Sequence, residues 1–312
     1  MRILIVGAGA TGGFFGTLMA QSGRDVTFLA RDRRAAQLRR TGLKVEREQA
    51  TLEIQPKVVT AAEIEKTYDL VILAVKAYAL HAAIDDFADA VGSQTAILPL
   101  LNGMHHMDVL EERFGLQRLL GCQCKVVTSL NDEGNVVQQG ALAEMSYGEL
   151  DGTISDRLER IHETMSNAGF ATSVSTNIKR AMWEKWLLLA ALGSINSLMR
   201  GSIGEVMATP GGREIINLIF DEILGVTRFV GEPPSESFIQ QARKLLTLEG
   251  STQTSSMYRD MVSGRPVEAD QIIGDLIFRA ESVGLEAPYL SLAYSNLLIH
   301  QSKQSMSQNN KS

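Results

Sequence analysis

The first half of the chain alternates short apolar runs with stretches of helical pattern. The apolar runs at 1–6, 25–30, 69–75 and 94–100 have the length and the flanking turn residues of buried β-strands. Strands that alternate with helices are typical of a parallel sheet with helices on both faces. The pattern therefore predicts an α/β region with a doubly wound parallel sheet.

Two further apolar runs, 119–129 and 141–147, lie on either side of the turn-forming segment 131–135. They predict an antiparallel pair of strands that completes the first domain. Beyond about residue 177, every periodic segment is helical. The predicted helices span 178–199, 211–231, 235–249, 266–283 and 288–301. The first of these helices is apolar on nearly all sides, which indicates a buried position.

Composition and charge exclude several classes of protein. The 312 residues are enough for two domains, and 45% of them are apolar, as in ordinary globular proteins. The net charge of −6 and the lack of a Lys/Arg-rich block argue against a nucleic-acid partner or a membrane-surface partner. No apolar run reaches the roughly 18 residues of a membrane span. We expect neither a disulfide nor a metal site from Cys122 and Cys124, and we expect a cytoplasmic location.

The first strand runs directly into a glycine-rich turn that consists of Gly7, Ala8, Gly9, Ala10, Thr11 and Gly12. Between a strand and an apolar helix, this G-x-G-x-x-G spacing is the dinucleotide-binding fingerprint. Gly7 permits the tight turn, Gly9 lets the backbone approach a pyrophosphate, and Gly12 lets the helix pack close to the strand. The pyrophosphate would accept hydrogen bonds from the first N–H groups of the helix. The alternative is an ordinary strand–turn–helix rich in small residues.

With this fingerprint at its start, the chain is predicted to be an α/β protein of two domains. Residues 1–177 are expected to form a Rossmann-type dinucleotide-binding domain with a doubly wound sheet. Residues 178–301 are expected to form an all-helical domain that contributes substrate-binding and catalytic residues. Residues 302–312 are polar and are expected to form a disordered tail.

Arg31 follows the second predicted strand, about twenty residues after the glycine-rich turn. An acidic residue at this place would bind the ribose 2′-hydroxyl of NAD, whereas an arginine can pair with the 2′-phosphate of NADP. Arg33 and Arg34 add positive charge. The acidic Asp32 is less favourable for a 2′-phosphate, but it lies one residue beyond the critical position. We therefore expect NADP (NADPH) as the cofactor. The alternative is a solvated arginine at the start of a helix.

Three more polar residues occur where a cofactor and a substrate could contact them. Lys76 follows the third strand and Asn102 follows the fourth, and ligands of such sheets bind at the carboxyl ends of the strands. Lys185 lies within the apolar segment 183–189, so it must either reach solvent or face a polar cavity. A lysine that faces a cavity beside a cofactor is a good proton donor to a carbonyl oxygen. The alternatives are that Lys76 and Asn102 cap loops and that Lys185 forms a salt bridge.

These features together resemble the ketopantoate reductases, or 2-dehydropantoate 2-reductases, over nearly the whole chain. The resemblance is carried by the glycine-rich turn, Arg31, Val75-Lys76, Asn102-Gly103-Met104 and Trp183-Glu184-Lys185. Its most specific part is the segment 255–260, Ser-Ser-Met-Tyr-Arg-Asp, which leads to Glu268. The family reduces the ketone of a 2-oxo acid with hydride from NADPH and forms pantoate for pantothenate biosynthesis.

The resemblance also implies roles for individual residues. Lys185 would be the general acid that protonates the carbonyl oxygen, and its ammonium would stabilise the developing alkoxide. Glu268 would bind the substrate hydroxyl and orient the lysine, and Ser256 would hold the substrate carboxylate. Asn102 would bridge the cofactor and the substrate, and Lys76 would lie at the edge that both share.

The chain departs from the family at two positions. The family usually has asparagines four and eight residues after the catalytic lysine, where both help to bind the substrate. Here these positions are Leu189 and Gly193. Asn196 lies about 16 Å further along the helix than Lys185 and is not expected to replace an adjacent amide directly.

This departure leaves more than one function open. The substrate is either ketopantoate or another, more apolar 2-oxo acid, and a third alternative is an NADPH-binding sensor without turnover. Retention of Lys185, Ser256 and Glu268 argues against the sensor. The helical domain would also offer an apolar surface for a homodimer, and the sequence does not decide the oligomeric state.

Overall fold

The structure is a computed structural model that describes residues 1–309 of the chain. These residues belong to two compact units. The first unit consists of residues 1–101 and 106–178, and the second consists of residues 102–105 together with the chain from 179 onward. The segment 102–105 thus belongs to the helical unit by its contacts, although it follows a strand of the first unit. The predicted division into 1–177 and 178–301 places 102–105 in the first domain instead.

The strands and helices follow one another along the chain in a simple order. The strands are β1 (Arg2–Val6), β2 (Asp25–Leu29), β3 (Leu43–Arg47), β4 (Ala50–Ile54), β5 (Lys57–Val59), β6 (Tyr68–Leu73), β7 (Val91–Pro99), β8 (Leu120–Leu130), β9 (Val136–Glu149) and β10 (Ala171–Val174). The helices are α1 (Ala10–Gln21), α2 (Asp32–Thr41), α3 (Leu80–Phe87), α4 (His105–Phe114), α5 (Asp156–Met165), α6 (Ile178–Met199), α7 (Ile203–Met207), α8 (Gly212–Val230), α9 (Glu236–Leu246), α10 (Ser256–Val262), α11 (Asp275–Ser282) and α12 (Pro288–Asn309). Single 3₁₀ turns occupy Ala61–Glu63, Ala77–Ala79, Ala88–Ala90 and Leu116–Arg118, and a π-helical turn, Asp270–Gly274, leads into α11.

A parallel sheet with the strand order β5-β2-β1-β6-β7 forms the centre of the first unit. Every pairing in this sheet is parallel, as predicted. The central strand β1 has no exposed surface at Ile3, Leu4 and Ile5. Phe14 and Phe15 of α1 belong to the same buried core as Ile3 and Ile5. Because both faces of β1 and β6 are covered, each of these strands ends in four consecutive buried apolar residues, which is why the pattern predicts them.

A second sheet completes the first unit. Its strand order is β10-β9-β3-β4, and β8 pairs with β9 in antiparallel fashion, which confirms the pair predicted around 131–135. The sequence pattern does not predict β3, β4, β5 and β10. These strands are short and partly polar, and β3 pairs in parallel with the distant β9. Their stability comes from partners far away in the sequence, so the local pattern carries little signal.

All secondary-structure elements among the described residues of the second unit are helices, as predicted. The helix predicted at 178–199 is α6, with the same bounds. The single helix predicted at 266–283 is instead a π-helical turn, Asp270–Gly274, followed by α11. Among the helices of residues 1–309, none combines the length and the apolar character that a membrane crossing needs.

The end of the chain differs from the predicted disordered tail. Helix α12 continues to Asn309, so residues 302–309 are helical, and residues 310–312 lie outside the described part. No glycine or proline interrupts this segment, so a helix anchored upstream propagates through its polar residues. The side-chain amide of Gln301 donates to the carbonyl oxygen of Val267 over 3.1 Å and provides such an anchor.

Candidate active site

The glycine-rich turn has the geometry of a phosphate-binding turn. Gly7 has a φ of +100°, and a Cβ atom there would lie 3.0 Å from the carbonyl oxygen of Ala74. A Cβ atom at Gly12 would overlap the carbonyl oxygen of Gly7. At Gly9, in contrast, a Cβ atom would meet nothing within 4 Å, so the space above the turn is open. Helix α1 begins there with no side-chain cap and no acidic residue in its first turn, which suits an anion.

The basic residues that follow β2 have two different environments. Arg31 directly precedes α2, its side chain is 67% exposed, and its Nε lies 3.7 Å from a carboxylate oxygen of Asp86. Arg34 is half-buried and donates to the carbonyl oxygens of Ala8 and Gly134 over 3.2 and 2.9 Å. Burial lowers the pKa of the Arg34 guanidinium. Arg34 therefore ties α2 to the glycine-rich turn, whereas Arg31 and Arg33 are exposed.

Lys76 also belongs to the first unit. It lies beyond the carboxyl end of β6, is exposed, and directly precedes the 3₁₀ turn Ala77–Ala79. This position agrees with a residue at the carboxyl edge of the sheet, where ligands of such folds bind.

The second unit contains a small pocket that is partly open to solvent. Its lining includes three of the residues predicted for the site, Asn102, Ser256 and Glu268. The other residues that line it are Leu189, Ser255, Met257, Asp260 and Ile272. The structure thus brings together an amide, hydroxyls and carboxylates that are far apart in the sequence.

Lys185 is half-buried on α6, one helical turn before Leu189. Leu189 lines the pocket, and residues one turn apart share a face of a helix. Lys185 itself is not among the residues that line the pocket. The structure therefore places the lysine on the helix face that leads to the pocket.

Asn196 has a structural role. Its Nδ2 donates to the carbonyl oxygen of Gly201 over 2.8 Å, and its Oδ1 accepts the backbone N–H of Ser255 over 2.8 Å. The side chain is fully buried. Because both ends of the amide are engaged, Asn196 does not supply the amide missing at Leu189; it holds the start of α10 in place instead.

Family models and a related protein sequence identify the family of this chain. The family model for ketopantoate reductase PanE/ApbA matches residues 3–152, and the model for the C-terminal region of the same family matches residues 177–301. The chain belongs to the ketopantoate reductase family. An uncharacterized oxidoreductase of Bacillus subtilis, YkpB, is 33% identical over 303 residues, which cover 97% of this chain and 100% of that protein.

Solved structures share the fold over almost the full length. The crystal structure of 2-dehydropantoate 2-reductase from Geobacter metallireducens has a TM-score of 0.83 at 25% identity and covers 95% of this chain and 99% of that chain. The ternary structure of D-mandelate dehydrogenase with NADH and anilino(oxo)acetate has a TM-score of 0.87 at 21% identity, covers 98% and 99% of the two chains, and shows the fold alone. As a member of the ketopantoate reductase family, the protein is an oxidoreductase that uses a nicotinamide dinucleotide.

This ketopantoate reductase family member has apolar atoms at positions 189 and 193, where the family usually has asparagine side chains. Leu189 lines the pocket. A Cβ atom at Gly193 would overlap the terminal methyl group of Met257, so that methyl group covers the glycine. Met257 is itself buried and lines the pocket. This wall of the pocket is therefore apolar.

Sequence reasoning missed two polar residues of this family member. Asp260 lines the pocket, and one of its carboxylate oxygens lies 3.1 Å from Nε of Arg265. Gln271 donates to the backbone carbonyl of Asn102 over 2.9 Å. Asp260 is the last residue of the segment 255–260 that carries the resemblance, and this position in the motif could have identified it as a pocket residue. No sequence signal distinguishes Gln271, because its role depends on a contact with a segment far away in the chain.

Proposed function

We propose that this member of the ketopantoate reductase family reduces ketopantoate to pantoate with NADPH and so serves pantothenate biosynthesis. The observation that carries the proposal is the pocket of the second unit, which gathers Asn102, Ser256 and Glu268 from separate segments. Their amide, hydroxyl and carboxylate provide the donors and acceptors that a hydroxylated 2-oxo acid requires.

The residues of the first unit fit NADPH. The open and uncapped start of α1 at Gly9 suits the pyrophosphate, and the exposed guanidinium of Arg31 suits the 2′-phosphate. The bound nicotinamide supplies a hydride to the carbonyl carbon of the substrate. Lys76 and Asn102 complete the set of residues that hold the cofactor.

The residues of the second unit supply the proton and hold the acid. Lys185 donates a proton to the carbonyl oxygen as the carbon gains hydride, so the product is a 2-hydroxy acid and the lysine is left neutral until it is reprotonated. Its ammonium stabilises the negative charge that develops on that oxygen. Glu268 accepts a hydrogen bond from the substrate hydroxyl and orients Lys185, and Ser256 donates to the substrate carboxylate.

A second candidate function is the reduction of a more apolar 2-oxo acid. The apolar wall of Leu189 and Met257 favours it, because it offers no hydrogen bond to a polar substituent. An apolar side chain would gain there by leaving water, whereas a hydroxyl would lose its hydrogen bonds to water. Both candidate reactions use the same proton donor and the same cofactor.

A substrate panel tests both candidates. The rate of NADPH oxidation by the purified protein is measured with ketopantoate and with 2-oxo acids that carry alkyl and aryl side chains. Efficient turnover of ketopantoate supports the first candidate, and turnover of the alkyl or aryl acids alone supports the second. The Lys185→Ala variant, purified in the same way, reports any contaminating reductase. Binding of NADPH without turnover of any acid would contradict both candidates.

A further inference from the structure

The π-helical turn Asp270–Gly274 lies at the start of the helical segment that follows Glu268. Such turns are uncommon in helices and often occur at functional sites. The indole N–H of Trp186 donates to the carbonyl oxygen of Ile272, in this turn, over 2.9 Å. Trp186 is fully buried and directly follows Lys185 in the chain. The turn is therefore fixed to the helix that carries the proposed proton donor.

A second buried contact joins the same turn to Asn102. The side chain of Gln271 donates to the carbonyl oxygen of Asn102 over 2.9 Å, and Gln271 is only 5% exposed. The next residue, Gly103, has a φ of +80°. A Cβ atom at Gly103 would lie 2.7 Å from the carbonyl oxygen of Gln271 and 3.3 Å from its side-chain nitrogen. The backbone of 102–103 therefore lies directly on Gln271, and a glycine is needed for this approach.

We propose that Gln271 is a positioning residue for the reduction. Asn102 and Glu268 line the pocket within the described residues, whereas Gln271 does not, so it acts through them. Its amide fixes the backbone of Asn102 and thereby the direction of the Asn102 side chain relative to Glu268, which lies one turn before Gln271. This proposal rests on the proposed function, which assigns Asn102 and Glu268 to the cofactor and the substrate.

Two substitutions test the hydrogen bond while they preserve the size of the side chain. The substrate is the 2-oxo acid that the wild-type protein reduces fastest. Methionine in Gln271→Met cannot donate to Asn102, and we expect kcat to fall about tenfold and the Kd of NADPH to rise by a smaller factor, because Asn102 also holds the cofactor. A purely structural defect would instead lower the amount of folded protein and leave kcat per folded molecule unchanged.

The Gln271→Glu variant adds a pH readout. An ionised carboxylate repels the carbonyl oxygen of Asn102, whereas a protonated carboxyl group donates to it. The kcat of Gln271→Glu relative to wild type should therefore rise as the pH falls, and the same ratio for Gln271→Met should stay flat. The charged and ionisable groups near this turn are Lys185, Asp260, Glu268 and Asp270, together with Tyr294, which donates to Asp270 over 2.7 Å, and Asp275, which pairs with Arg279. All of them are also present in Gln271→Met, so a pH dependence that appears in Gln271→Glu alone requires the introduced carboxyl group.

The Gln138→Met variant is the matched control. Gln138 is also 5% exposed, and its amide group is engaged in the second sheet of the first unit. It donates to the carbonyl oxygen of Leu142 over 3.3 Å and accepts from Nε of Arg47 over 2.8 Å. Its replacement should lower the Tm without changing kcat. A Gln271→Met variant that loses no more kcat than this control overturns the proposal.

Hydrogen exchange separates this proposal from the proposed function. The amides of 102–106 should exchange at least about fivefold faster in Gln271→Met than in wild type, and not in Gln138→Met. Unchanged exchange overturns the role of Gln271 whatever the turnover is. Absence of turnover by the wild type on every 2-oxo acid contradicts the proposed function whatever the exchange is.

Discussion

The glycine-rich turn of the first unit and the pocket of the second unit are specified in different ways. The turn is contiguous, from Gly7 to Gly12, and its requirements are local, because a Cβ atom at Gly12 would overlap the carbonyl oxygen of Gly7. The pocket combines Asn102, Leu189, Glu268 and the start of α10, which are far apart in the chain. A local rule identifies the first site, and only the fold assembles the second.

This difference explains why the cofactor class is easier to infer than the substrate. A turn whose backbone atoms almost touch accepts few residue types, so its sequence is distinctive. A pocket wall accepts exchanges of one side chain for another of similar volume, as Leu189 and the methyl group of Met257 illustrate.

The largest expected effect is in the second unit, at Lys185. In Lys185→Ala, kcat should fall by about 10²–10⁴-fold, because the carbonyl oxygen loses its proton donor. The Kd of NADPH, measured by fluorescence titration, should change little. Lys179→Ala is the control, since Lys179 is on the same helix but pairs with Glu232 over 3.3 Å at the surface. Wild-type turnover by Lys185→Ala would remove the assigned role.

In the first unit, two glycines of the same turn should respond in opposite ways. Gly9→Ala should leave the Tm near that of wild type, because the Cβ atom meets open space, but it should weaken NADPH binding at least about tenfold. Gly12→Ala should lower the Tm strongly or prevent folding, because the Cβ atom overlaps backbone. Thermal unfolding and NADPH titration measure both. Equal behaviour of the two variants would contradict the local account of the turn.

Arg31→Ala should separate the two nicotinamide cofactors. Loss of a charge-assisted contact to the 2′-phosphate should weaken NADPH binding about tenfold, whereas NADH binding should change less than about twofold. Arg40→Ala removes the same charge from the far end of α2 and should change the binding of neither cofactor. If Arg31→Ala weakened the binding of NADPH and NADH equally, this residue would give no support to a preference for NADP.

The smallest effect is expected at the apolar wall of the pocket. Leu189→Asn restores an amide and should raise kcat/KM for ketopantoate a few-fold relative to that for an apolar 2-oxo acid. Leu218→Asn, at a half-exposed position of α8, is the control and should leave this ratio unchanged. A ratio that falls in Leu189→Asn would show that this position does not select the substrate side chain.

Most of the parallel sheet was predictable because its strands are buried on both faces. β1 and β6 each end in four consecutive buried apolar residues, and the antiparallel pair of β8 and β9 encloses a recognisable turn. β3 and β4 were missed, since their alternation of buried and exposed residues extends over only a few positions. The prediction of a tail was wrong for 302–309, because polar composition does not prevent an anchored helix from continuing.

The candidate site was predictable where a motif carries it. Ser256 and Glu268 belong to one sequence motif, and both line the pocket. The contribution of Gln271 could not be predicted, because it depends on a hydrogen bond to Asn102, a residue in a distant part of the chain. The same holds for Met257, whose methyl group covers Gly193.

The sequence by itself determined most of the parallel sheet, the dinucleotide turn and the helical second unit, because each of these depends on the periodicity or the backbone freedom of contiguous residues. The tertiary structure alone decided that 102–105 belongs to the second unit, that a π-helical turn follows Glu268, and that apolar atoms cover the positions of the missing asparagines. These features depend on contacts between residues that are distant in the chain, and no local pattern records such contacts.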